Sequence, residues 1–119
     1  MYKQFLSIFI VTFVGGCAPQ ISSPAFQSKT PQQKIAIKDA YEKCVARNAV
    51  KLDDGYSPAN VIGASVETAC HAEFVANAML IVEDDNDAVK RQFYHRLPEL
   101  EGRAPTTYVL SRRAYLNKR

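Results

Sequence analysis

Histidine and cysteine are scarce in this chain: two histidines and three cysteines among 119 residues. That shortage removes most metal and nucleophile chemistry. No CxxC, CxxCH or HExxH pattern occurs, and a zinc site needs three or four convergent ligands. With five glycines there is no Gly-rich loop to cradle a phosphate. The acidic run Glu83-Asp84-Asp85-Asn86-Asp87 lacks the spacing and the glycine of an EF-hand. It reads instead as carboxylates at a helix start, where they complement the dipole. Charge of one sign is missing too: 15 Lys+Arg stand against 12 Asp+Glu. Nucleic acid is therefore not an expected partner, since that needs a clustered basic surface. No cofactor and no metal are expected.

Long apolar runs are also absent. The longest occupies Phe5 to Val14, well short of the roughly 20 residues that span a bilayer as a helix. What is present is a tripartite leader. Lys3 supplies the positive charge, Phe5 to Val14 the apolar stretch, and Gly15-Gly16 the small residues before Cys17. That order is the architecture of a secretory signal peptide.

Val14-Gly15-Gly16-Cys17 resembles a bacterial lipobox, with an aliphatic residue three before the cysteine and small residues between. The resemblance covers only residues 1–18. It implies cleavage before Cys17, a diacylglycerol on its sulfur and an acyl chain, such as palmitate, on its new amine. Two or more chains anchor stably, at about 0.8 kcal/mol per buried CH₂. Ala18 follows the cysteine. The Asp that retains such proteins in the inner membrane is absent there, which suggests the outer membrane facing the periplasm. The membrane, through Cys17, is then the first expected partner.

The chain divides accordingly into a signal peptide (1–16), a lipidated cysteine with its tether (17–29) and a small domain (30–119). Ala18 to Lys29 contains proline, serine and glutamine without periodicity. At about 3.3 Å per residue it reaches at most about 40 Å. Beyond the inner membrane the compartment is oxidising, so Cys44 and Cys70 read as a disulfide.

The domain reads as all-α: a small bundle of three to four helices on a disulfide-linked antiparallel hairpin. Thr30-Pro31-Gln32-Gln33 carries a cap, an N1 proline and a capping box. Ile37, Tyr41, Cys44, Val45, Asn48 and Leu52 then share one arc, and Asp53-Asp54-Gly55 ends the helix. Ser57-Pro58 starts a second helix. Ile62, Val66, Ala69, Cys70, Phe74, Leu80 and Ile81 form one face of it. Val61, Val75, Met79 and Val82 form another, which predicts a central helix buried on several sides. Its polar strip is Asn60, Glu67 and His71. In an ideal hairpin Cys44 and Cys70 are not level, being about nine and fifteen residues from the turn. A late helix start or a crossing angle absorbs the difference.

Val89, Phe93 and Leu97 predict a third helix, ended by Pro98. Thr106 to Arg119 reads as a last helix with Tyr108, Val109, Tyr115 and Leu116 inward, although Thr106 to Leu110 also has β propensity. Tyr41 to Cys44, with a second cysteine late on the next helix, is similar to small disulfide-clipped helical proteins secreted by proteobacteria. Many of those have no assigned function.

The expected role is a non-enzymatic envelope lipoprotein acting through protein contacts. A periplasmic inhibitor or immunity protein against a toxin or hydrolase is the alternative. An enzyme requires His71 or His95 to converge with Glu67 in a deep pocket. His71 otherwise reads as a surface partner of Glu67, and Lys43, Arg47 and Lys51 as a solvated basic row.

Overall fold

A computed structural model describes residues 28–119. Cys17 and the segments 1–16 and 18–27 lie outside the described residues. Helix α1 spans Pro31–Leu52 and begins as the capping box requires. Gln33 N–H donates to Thr30 Oγ1 at 3.2 Å, and Thr30 N–H donates to Gln33 Oε1 at 2.8 Å. Its inward side is Tyr41, Cys44, Val45 and Ala49.

Helices α2 (Ala59–Ala69) and α3 (His71–Met79) follow, then a 3₁₀ turn over Leu80–Val82. Helix α4 (Asp87–Arg96) leads through a second 3₁₀ turn, Leu97–Glu99, into α5 (Arg103–Leu116). Among the described residues there are five α-helices and no strand, so the all-α expectation holds and the β alternative for Thr106 to Leu110 does not. The expected count of three to four helices is exceeded because the long second helix is broken at Cys70. There φ is −113° and ψ 21°, and the Cys70 N–H is shared between the carbonyls of Val66 and Glu67 at 3.0 Å each.

Other local differences have simple causes. Ser57 does not cap α2; its hydroxyl bonds Asp54 Oδ2 at 2.6 Å, and Pro58 occupies the cap position. Asn86 caps α4 through the amides of Ala88 and Val89. The helix after Ser57-Pro58 is less enclosed than its apolar circumference implies: Val61 and Ile81 are exposed. On α5 only Val109 of the four expected inward residues is buried, joined by Pro105. Tyr108, Tyr115 and Leu116 face water.

The core joins α1, α2, α3 and α5 through Tyr41, Val45, Ala49, Ile62, Val66, Phe74, Ala78, Leu97 and Val109. Val66 and Val109 are fully enclosed, each contributing about 1.5–3 kcal/mol of transfer free energy. Gly63 lets α2 and α5 approach closely. A Cβ there would stand 2.2 Å from Thr106 Oγ1, 2.7 Å from its N and 2.9 Å from its Cα. Gly102, at φ 76°, turns the chain into α5. No helix among the described residues is long and apolar enough to cross a membrane.

Candidate functional site

Cys44 and Cys70 form a disulfide, with Cα atoms 5.9 Å apart. The register problem is solved by the break at Cys70. Helix α1 packs against both α2 and α3, and Cys70 sits at the joint between them. Asn48, the one polar member of the α1 arc, belongs to this cluster. Its Nδ2 donates to Cys44 O at 3.0 Å and lies 3.4 Å from both sulfurs. Both half-cystines are buried, so the bond is an internal clip.

The second polar constellation centres on Glu67, 2% exposed in the middle of the fold. Tyr41 Oη donates to its two oxygens at 3.1 and 3.0 Å, and Gly102 N–H donates to Oε2 at 3.1 Å. The bonds donated by Gly102 N–H, at the cap position before α5, and by Tyr41 Oη favour the ionised form. Burial acts the other way and dominates, holding the carboxyl above its ordinary range. The Tyr41 hydroxyl is likewise pushed up, by burial first and then by the Glu67 charge. Neither residue belongs to a surface strip, which corrects the placement of Glu67 on a polar face.

His71 does not pair with Glu67. Its Nδ1 lies 3.1 Å from Glu101 Oε1, next to Gly102. Glu67, Thr68, His71, Glu101 and Ala64 line a recess of about 240 Å³, below the roughly 300 Å³ at which ligand pockets usually begin. The Glu67 oxygens are occupied by structural donors. The arrangement therefore pins α1, α2 and the start of α5 together, with the His71–Glu101 pair holding the same loop from outside. His95 lies on α4 beside Tyr94, ring centroids 6.3 Å apart, and is not part of this recess.

The titration of this pin has a definite sign. A carboxyl raised in the folded state contributes stability that is complete below its unfolded value near 4.5 and is lost as pH rises through the folded value. Asp53, lowered chiefly by its bond from Arg113, has the opposite sign: its contribution is present above 3.8 and lost as pH falls. Glu67→Gln keeps an oxygen that accepts from Gly102 N–H and turns its new amide NH₂ towards the Tyr41 oxygen. It is expected to flatten the decline of stability above pH 4.5 while leaving the acid limb in place. Urea midpoints measured from about pH 3 to 8 check this; an unaltered upper limb would contradict it.

Asp53 marks a third cluster, which periodicity does not reveal. Its side chain is 2% exposed, 3.0 Å from Arg112 Nη1 and 2.6 Å from Arg113 Nη2. Arg113 also donates to Ser57 O at 2.8 Å, so α5 is fastened to the turn after α1. Asp54 is lowered to about 2 by bonds from Ser57 and Tyr56. In the acidic run, Glu83 accepts from Lys29 N–H and pairs with Lys34 at 2.7 Å. Lys43 pairs with Asp39 at 2.7 Å, and Arg47 and Lys51 are exposed. Among the described residues no group of three or more His, Cys, Asp or Glu is placed to hold a metal.

No family model matches the chain, and no curated protein or solved structure shows significant similarity to it.

Proposed function

We propose that this is a lipid-anchored protein of the bacterial envelope, non-enzymatic, acting through contacts with another envelope protein. The observation that carries the reading is the division of the three cysteines. Two are consumed in a buried clip between α1 and the α2–α3 joint. The third, Cys17, stands apart at the end of an apolar leader. A structural disulfide belongs to an oxidising compartment, and the leader supplies the route to one. We read α1 with the bent pair α2–α3 as the antiparallel hairpin, joined by the short turn at 53–58. Counted as one bent helix, that pair brings the bundle to four.

Protein contact is supported by α5, which leaves Tyr108, Leu110, Tyr115 and Leu116 exposed; tyrosine is enriched at interfaces. The buried carboxylate speaks for scaffold rather than catalysis, since its oxygens serve Tyr41 and Gly102.

Cys17→Ser tests the anchor. The wild type is expected in the membrane fraction, and the variant depleted there by more than about tenfold, because without acyl chains it loses its stable attachment. Equal partitioning of the two would sink the reading.

A further inference from the structure

Among the described residues, the two most exposed aliphatic side chains lie in one groove. Ile81 is 72% and Ile35 69% exposed. With Leu80, Asn77, Lys34 and Lys38 they line a groove of about 380 Å³. Ile35 stands on the second turn of α1, and Ile81 on the 3₁₀ turn after α3. The core does not use either side chain. An apolar patch rimmed by polar residues marks an interaction surface.

The position of the groove narrows its occupant. It lies at the end of the domain where the chain enters. Ser28 Oγ is 3.4 Å from Asp84 Oδ1, Lys29 N–H donates to Glu83, and Lys34 joins the same carboxylate. Helix α1 is 22 residues long, so its far end and the turn bearing Tyr56 stand about 33 Å away along its axis. From Cys17 to Ser28 the chain reaches no more than about 40 Å. A lipid on Cys17 is therefore joined to the domain at this end, beside the groove, and the opposite end stands a further helix length from the point of attachment.

We propose that the groove of Ile35, Leu80 and Ile81 is the face on which the domain rests against the phospholipid bilayer. The inference rests on the reading that Cys17 is lipidated. The isoleucines enter the headgroup boundary, and the stems of Lys34 and Lys38 lie along the rim with their ammonium groups in the polar layer. Charge is not the driving term. Glu83 lies 2.7 Å from Lys34, Glu42 lies 3.8 Å from Lys38, and Asp84 and Asp85 line the adjacent cleft. Contact is apolar and only weakly salt-dependent.

The chain contains no tryptophan, so a single introduced indole reports without background. Ile81→Trp, Ile35→Trp and Tyr56→Trp are made in the full chain, purified with the acyl groups attached and reconstituted into vesicles of brominated phosphatidylethanolamine and phosphatidylglycerol. Indole fluorescence at positions 81 and 35 is expected to be quenched at least about twofold more than at position 56, in low and high salt alike. Equal quenching at all three positions, or none at 81 and 35, overturns the proposal. The intact mass of the same samples separates the failures. Lipid-bearing protein without quenching overturns this inference alone. Protein lacking lipid at Cys17 overturns it together with the anchoring reading.

Discussion

Gly63→Ala is expected to destabilise the domain by about 2 kcal/mol or more, although alanine is the better helix former by about 1 kcal/mol. The contest is decided by what the new methyl meets. Thr106 Oγ1 at 2.2 Å is a side-chain atom and can rotate away, but Thr106 N at 2.7 Å and Cα at 2.9 Å are backbone. Helices α2 and α5 must separate, loosening Val66 and Val109 together. A second variant sharpens the point. Gly63→Ala with Thr106→Ala removes only the hydroxyl clash, so most of the loss should remain. Urea denaturation of the three proteins is the measurement. A double variant as stable as the wild type would show that the backbones are not in contact here.

Loss of the disulfide is the other large effect. The bond closes a loop with a sequence separation of 26, which the chain-entropy model values at about 3.5 kcal/mol. For a domain of this size, whose net stability is of order 5–15 kcal/mol, that is between about a fifth and about two thirds of the total. Cys44→Ala with Cys70→Ala adds a smaller packing loss, because both side chains are buried. The double variant, and the wild type in reductant, are both expected to unfold at markedly lower urea. A shift below about 1 kcal/mol in both would mean that the loop is already restrained in the unfolded chain. The effect bears on function as well: the domain has its full stability only where the surroundings are oxidising enough to keep the bond closed.

Some of this was legible beforehand for identifiable reasons. The start of α1 follows from local chemistry, because Thr30, Pro31 and Gln33 need only each other. The pairing of Cys44 with Cys70 follows from the number of cysteines left once Cys17 is assigned to the proposed leader. What escaped depends on distant partners. Glu67 looks like a surface residue because periodicity registers polarity, whereas its burial depends on Tyr41 and Gly102, 26 and 35 residues away. Asp53 and Arg113 are 60 apart. Ile81 and Tyr115 fit an apolar period yet face water, since a small bundle has more apolar stripe than core to receive it. Gly63 did carry a signal: a glycine in the middle of an apolar helix is costly unless another backbone needs the space. The break at Cys70 has no marker, as Ala69-Cys70-His71 contains neither glycine nor proline.

The proposed reading gives the three cysteines two different fates, and one measurement addresses all of them: the intact mass of the protein recovered from membranes, before and after reduction. The expected species begins at Cys17, carries a diacylglycerol and a further acyl chain, and becomes heavier by two hydrogens on reduction as the Cys44–Cys70 bond opens. A chain with an unmodified Cys17, or one whose mass does not change with reductant, would contradict it.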